Sequence, residues 1–255
     1  MTSSNIYDQR YLGDYREQLS GYEIARWEAL EHFIMHVVKL GSARKVLDYG
    51  AGSGLHVDLW EKTFRTAELS FCDISPVAME KFIVKYPRYA DRYYLLGETH
   101  SGLSETIYDV IVSVEVMEHV EDLGLYLRDV HRLLIPGGCF VWTTPCANRF
   151  SIEHIFSAIT GKIEQTEEGY RRWSWEDPTH LRRLRSNEIG GLLRQNGFTD
   201  IRFRFRSHFF SFICRYFPLR GGRYLRNRLM TLDYALFRSI PNGASMIGAA
   251  NKPIQ

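Results

Sequence analysis

Cysteine is scarce and unpaired in this chain: Cys72, Cys139, Cys146 and Cys214 are scattered through 255 residues with no C-x-x-C spacing. Cys72 and Cys139 fall in or beside apolar strand-like runs, so reduced, buried thiols are expected rather than a disulfide framework. Long hydrophobic runs are also missing. No stretch approaches the roughly 18 apolar residues that would span a bilayer, and the polar start MTSSNIYDQR offers no apolar core of an export signal. Export is not expected, and the compartment reads as cytoplasmic. There is no internal repeat or low-complexity tract. Net charge is close to balance at +2, yet residues 201–240 carry nine arginines against Asp233 alone. Such asymmetry points to an anionic partner for one face.

What is present begins with a hydrophobic content of 45 %, enough for one large domain with additions. Lys45 to Gly54, KVLDYGAGSG, reads as a buried strand, a glycine-rich turn and the start of a helix. Gly50, Gly52 and Gly54 let the backbone bend and approach a ligand, and free N–H groups at the helix start face the same place. The turn is G-x-G-x-G with Leu55 where a dinucleotide fingerprint needs a third small residue, which disfavours an NAD-dependent oxidoreductase. A second strand, Glu68 to Cys72, runs into Asp73, placed to accept both hydroxyls of a ribose. Gly54 reads equally well as a close-packing residue, and Asp73 has an alternative as a helix cap before Pro76.

The alternation continues through a helix from Pro76, a strand at Tyr93 to Leu96, a nearly all-apolar strand at Asp109 to Val114 and a helix with Leu123, Leu127, Val130 and Leu134 on one face. Pro136-Gly137-Gly138 is expected to stop that helix before the strand Cys139 to Thr144. This pattern predicts a doubly wound α/β sheet. A helix from Glu23 to Gly41 precedes it, and residues 5–22, rich in Tyr and charge, could fold over a site. The reading is one domain with a helical lid over 1–42, a cofactor core over 43–207, an Arg/aromatic insertion over 208–243, and a last strand and tail over 244–255. Residues 145–183 break the rhythm with a long aromatic and charged connection.

VLDYGAGSG (46–54), FCDIS (71–75), YDVIVSVEVMEHV (108–120), LLIPGGCFVWTTP (133–145) and NGF (196–198) together resemble the class I S-adenosylmethionine-dependent methyltransferases, in the group that includes the ubiquinone-pathway O-methyltransferases. The resemblance implies a mostly parallel seven-stranded sheet with an antiparallel last strand, Ser245 to Ala250, and S-adenosyl-L-methionine lying across the glycine turn. It places Asp48 and the backbone of Gly50 and Gly52 on the methionine part, Asp73 on the ribose, Glu98 near the adenine, and Ile74 and Val114 beside them. A catalytically silent cofactor- or membrane-binding partner protein is the alternative class.

Glu115-Val116-Met117-Glu118-His119 ends the fourth strand as an E-x-x-E-H cluster. A helix starting near Glu115 would put Glu115, Glu118 and His119 on one face. Two carboxylates and an imidazole suit Mg²⁺, Mn²⁺ or Zn²⁺. The cluster is similar to the metal-binding motif of the ubiquinone-pathway enzymes, and His180 in EDPTH is the candidate for a further ligand. A metal-free general base at His119 and a purely structural role stay open beside it. In the insertion, Arg215, Arg220, Arg223, Arg226 and Arg228 are interleaved with Phe209, Phe210, Phe212, Tyr216, Phe217 and Tyr224. Aromatic content favours an anionic membrane surface or a lipid-linked acceptor over nucleic acid, and an ordinary helical cap with solvated arginines is the plain alternative. The expected reaction is methylation of an oxygen, or else a nitrogen, of a small or lipid-linked acceptor, with His119 and His180 as the catalytic candidates.

Overall fold

The computed structural model describes residues 3–13, 20–97, 103, 107–216 and 222–254. In chain order the elements are α1 (Ser3–Leu12), α2 (Gly21–His32) with a π-helical extension (Phe33–Val38), β1 (Lys45–Tyr49), α3 (Val57–Thr63), β2 (Glu68–Asp73), α4 (Pro76–Lys85), a 3₁₀ turn (Pro87–Arg92) and β3 (Tyr93–Leu95). They continue with β4 (Tyr108–Val114), α5 (Leu123–Leu133), β5 (Leu134–Pro145), α6 (Ile152–Ile159), β6 (Ile163–Gln165) and β7 (Arg171–Trp173). The chain closes with α7 (Ser186–Gln195), β8 (Thr199–Arg206), α8 (Phe210–Tyr216), α9 (Gly222–Phe237) and β9 (Ser245–Asn251).

Seven strands form one sheet in the order β3-β2-β1-β4-β5-β9-β8. All neighbours from β3 to β5 are parallel, and β9 runs antiparallel to both β5 and β8, as the sequence leads one to expect. Period-two alternation divides the strand residues between two cores. Val46, Phe71, Val110, Val112 and Val141 join Trp60 and Phe82 on one face, while Leu47, Cys72, Ile111, Phe140 and Trp142 join Leu127, Val130 and Phe198 on the other. Helices on both faces explain why β4, Asp109 and Ser113 apart, is apolar rather than alternating. Each such side chain contributes about 1.5–3 kcal/mol when fully buried. All four cysteines are free and buried.

Two local expectations are corrected, and the long connection gains elements of its own. Helix α5 ends at Leu133 because Leu134 is already extended (ψ 141°), and Pro136-Gly137-Gly138 lies inside β5, where Gly137 N–H donates to the Lys252 carbonyl at 2.9 Å. No helix starts at Glu115. That residue sits at φ 56°, in the left-handed region, and α5 begins only after Asp122 caps it through the Leu125 N–H at 2.8 Å. The long connection contains α6 and the β6–β7 hairpin, with Ile163 opposite Trp173.

The strand order reverses between β1 and β4, so the turns that follow these two strands flank a crevice at the carboxyl edge, where open α/β sheets bind ligands. The insertion, which follows the edge strand β8, is tied down. Fully buried Asp233 of α9 accepts from the backbone N–H and Nδ1 of His208, both at 2.9 Å, and from the Phe210 N–H at 2.8 Å.

Candidate cofactor and acceptor site

The glycine turn after β1 is held by two amides: the N–H groups of Gly50 and Ala51 both donate to the Cys72 carbonyl at 2.9 Å. Gly50 and Gly52 have φ of 87° and 55°, which favour glycine, and neighbouring side chains crowd both positions as well. A Cβ on Gly50 would lie 2.3 Å from Val116, and one on Gly52 would lie 2.2 Å from the Tyr11 hydroxyl. At Gly54 the same atom would meet Tyr86 at 2.8 Å and Phe82 at 2.9 Å, so close packing on α4 accounts for it.

Asp73 accepts the Gly52 N–H at 2.8 Å and the Ser75 N–H at 3.0 Å, which binds the end of β2 to the turn. Burial raises its pKa, and the Ser75 and Gly52 amides oppose that rise. Ser75, not Asp73, caps α4, accepting the Ala78 N–H at 3.1 Å. Asp48 lies beneath the turn rather than on the cavity wall. Its Oδ2 accepts from Trp60 Nε1 at 2.7 Å, and its Oδ1 has no hydrogen-bond partner. Burial, offset in part by the Trp60 bond, pushes its pKa up to about 7.

Over the turn is a cavity of about 290 Å³ lined by Gly50, Asp73, Ile74, Val114 and Glu115, together with Tyr7, Tyr11, Leu96, Gly97, Tyr126 and Asp129. Glu98 lies outside the described residues. Helix α1 covers this cavity. Asp8 accepts from Ser75 Oγ at 2.5 Å, Arg10 Nη1 donates to Thr179 Oγ1 at 2.5 Å, and Arg10 pairs with Asp177.

The E-x-x-E-H residues separate at the left-handed Glu115. Glu115 turns to Arg26, with 3.2 Å between the charged groups, and accepts from Thr143 Oγ1 at 2.9 Å. Glu118, His119 and His180 converge instead, offering ligand atoms that all lie within 4.8 Å of one another. His180 is brought there by the Leu181 N–H, which donates to the Glu118 carbonyl at 2.8 Å, and by the His180 N–H on the Asp177 carbonyl at 2.9 Å.

Second contacts orient each member of this trio. His119 Nδ1 faces the Thr179 carbonyl at 3.0 Å, and His180 Nδ1 faces the Glu176 carboxylate, also at 3.0 Å. Both partners only accept, so in the neutral imidazoles Nδ1 carries the proton and Nε2 the lone pair. Glu118 is 1 % exposed, its Oε2 accepts from Thr144 Oγ1 at 3.0 Å, and its Oε1 has no hydrogen-bond partner. Burial and the nearby Glu115 charge raise its pKa. For His180, burial disfavours protonation, but the Glu176 hydrogen bond and the Glu118 charge outweigh it and raise the pKa.

The orphaned Asp48 oxygen, the side-chain-free cradle at Gly50 and Gly52, and the acid at the end of β2 suit a cationic nucleoside cofactor better than a pyrophosphate. Comparison with known proteins specifies the class. A methyltransferase domain family matches residues 15–202, and the chain belongs to that family. It is 29 % identical over 157 residues to a probable S-adenosylmethionine-dependent methyltransferase of Mycolicibacterium smegmatis, covering 62 % of this chain and 52 % of that protein. It is 30 % identical over 127 residues to the mitochondrial ubiquinone biosynthesis O-methyltransferase of Rattus norvegicus, covering 46 % and 35 %. A crystal structure of a SAM-dependent methyltransferase from Thermotoga maritima superposes with a TM-score of 0.62 over 98 % of this chain and 99 % of that one, at 16 % identity, which speaks for the fold. The chain spans about half the length of this Mycolicibacterium relative.

Proposed function

We propose that the protein transfers the methyl group of S-adenosyl-L-methionine to a hydroxyl oxygen of a small or lipid-linked acceptor. The observation that carries this reading is the convergence of Glu118, His119 and His180 beside the cofactor cavity, whose wall includes His119. In this reading the turn at Gly50 and Gly52 holds the methionine end of the cofactor, with the Asp48 carboxylate beneath the turn supplying negative charge, Asp73 holds the ribose, and Ile74 and Val114 the adenosine face. The cofactor supplies an electrophilic methyl group. His119 Nε2 takes the proton from the acceptor hydroxyl, and α1 keeps water from the cavity.

Two imidazoles and one carboxylate with an unused oxygen also fit a divalent ion, Zn²⁺ or Mn²⁺ better than Mg²⁺. Such an ion would make an acceptor hydroxyl more acidic. The test combines two readouts. Metal content by mass spectrometry of the wild type and of His180→Ala is measured beside methyl transfer from radiolabelled cofactor to a panel of hydroxyl acceptors, before and after chelation. Stoichiometric metal lost in His180→Ala, with activity that returns on adding the ion, supports the metal-assisted form. Full activity in metal-free protein leaves His119 as the base, and no transfer to any hydroxyl acceptor by protein that binds the cofactor contradicts O-methylation.

A lipid surface is favoured as the acceptor's source by α9. Tyr224, Leu225, Leu232 and Leu236 are exposed on it beside Arg226 and Arg228, and exposed Phe209 precedes α8. Arg220 and the side chains of Arg215 and Arg223 lie outside the described residues. Among the described residues no helix is long and apolar enough to cross a membrane, so contact through this face is peripheral.

A further inference from the structure

Helix α1 reaches across the crevice and is tied to both of its banks. On one side Asp8 accepts from Ser75 Oγ at 2.5 Å, at the end of β2, and the Tyr11 hydroxyl fills the place that a Cβ on Gly52 would take. On the other side Arg10 pairs with Asp177, and its Nη1 donates to Thr179 Oγ1 at 2.5 Å. The Tyr7 ring stands edge-on to His119, with 5.7 Å between the centroids. The two aliphatic side chains of α1 bury little, Ile6 being 38 % and Leu12 72 % exposed. A segment with so little apolar anchorage opens at low free-energy cost. Tyr7 and Tyr11 both line the cofactor cavity, so passage of a ligand over the glycine turn requires α1 to move.

The loop on which Arg10 ends is also the loop that orients the imidazoles. Asp177 Oδ1 accepts from the Thr179 N–H at 3.0 Å and from Thr179 Oγ1 at 2.7 Å, so Arg10, Asp177 and Thr179 close a ring of charge-assisted bonds. The Thr179 carbonyl then faces His119 Nδ1 at 3.0 Å. Thr179 Oγ1, 3.3 Å from the same nitrogen, gives its own proton to Asp177 and so only accepts there. The Asp177 carbonyl takes the His180 N–H at 2.9 Å, and the His180 ring lies 4.8 Å from that of His119. We propose that Arg10 is a positioning residue: closure of α1 over the bound cofactor fixes Thr179, and Thr179 fixes the His119 ring with its proton on Nδ1 and its lone pair turned to the acceptor hydroxyl. With α1 open the loop loses Arg10, and the imidazole is free to turn. The site is then complete only when the methyl donor is sealed in, which orders cofactor before acceptor and keeps the base out of register whenever the cavity is open. This inference rests on the cofactor reading of the cavity and on His119 as the reacting base, and adds how the two are coupled.

The test compares the wild type, Arg10→Gln and Arg10→Lys as whole proteins and requires no acceptor. Entry and release of radiolabelled S-adenosylmethionine are timed by rapid filtration. The His119 tautomer is read by ¹⁵N NMR of histidine-labelled, chelator-treated protein saturated with S-adenosylmethionine, its signal assigned by loss in His119→Gln. In Arg10→Gln both entry and release should be faster, release by roughly tenfold or more for the loss of a charge-assisted contact. A residue that merely touched the cofactor would speed release alone. His119 should pass from a single Nδ1–H form in the wild type to a mixture of both tautomers. Arg10→Lys, which keeps the charge but not the planar fork, should restore the rates more fully than the tautomer. The melting temperature of cofactor-free Arg10→Gln should match that of the wild type, because α1 opens without the core. Unchanged rates, a mixed tautomer already in the wild type, or faster exchange with His119 still held in one form each overturns the inference. So does a clear fall in melting temperature, which would make Arg10 a support of the fold. Absence of S-adenosylmethionine binding in the wild type instead overturns the cofactor reading.

Discussion

Trp60 Nε1 donates to Asp48 Oδ2 at 2.7 Å beneath the glycine turn, and the other Asp48 oxygen has no partner in a site 2 % exposed. A carboxylate in that position is poor for stability, and from beneath the turn it adds negative charge for a cationic ligand lying above. Its pKa is about 7 in the folded chain, against roughly 3.9 in an unfolded one. Between these values the unfolded chain has released the proton and the folded chain has not, so stability falls as pH rises from about 4 to about 7 and is level above.

Asp48→Asn removes that dependence while keeping an acceptor for Trp60. The variant should match the wild type near pH 4 and exceed it by on the order of 4 kcal/mol at pH 8 in urea unfolding of the cofactor-free protein. S-adenosylmethionine should bind more weakly to it, a trade of function against stability. Equal stability at both pH values would show that Asp48 is relaxed where it sits.

The core of this fold is legible in the chain because each strand is short, apolar and bounded by turn residues, and Ser75-Pro76 marks a helix start with the cap and the ring in their usual places. Asp73 could be picked out by distance from the glycine turn alone. Glu115 could not be placed, because nothing in E-x-x-E-H announces a left-handed residue, and its partner Arg26 comes from a helix 89 positions away. The cover over the cavity reads from the chain as a stretch over 5–22 that could fold over a site, but the contacts that fasten it are hidden. Helix α1 is fastened by Asp8 to Ser75 and by Arg10 to Thr179 and Asp177, polar contacts that leave no apolar period to read. His180 was found from its residue type, but the backbone bond that carries it to Glu118 has no sequence signature.

Asp233→Asn should release the insertion. The carboxylate accepts three N–H groups with no exposure, and although burial opposes ionisation, the His208 bond and backbone amides hold its pKa below the usual range. Its stabilisation is present above about pH 4 and is lost as pH falls through the lowered folded value. We expect a loss of roughly 2–3 kcal/mol at pH 7, and faster proteolysis confined to residues 208–243. A variant as stable as the wild type, with the same cleavage pattern, would remove Asp233 as the anchor.

The exposed face of α9 should bind vesicles in proportion to their anionic lipid. Each arginine near such a surface contributes about 1 kcal/mol, and added salt should weaken the attachment. Arg226→Gln with Arg228→Gln should lower co-sedimentation without changing cofactor affinity, since the glycine turn is untouched. A wild type that stays in the supernatant at low salt and every lipid composition would make this face an ordinary solvated cap.

The most direct measurement is a calorimetric titration of S-adenosylmethionine and, separately, NAD⁺ into the wild type and Asp73→Asn. The account predicts a single saturable site for S-adenosylmethionine, no heat from NAD⁺, and an affinity reduced by about 1.5–3 kcal/mol in the variant through loss of charge-assisted hydrogen bonds to the ribose. Saturable NAD⁺ binding by folded protein that ignores S-adenosylmethionine would contradict it.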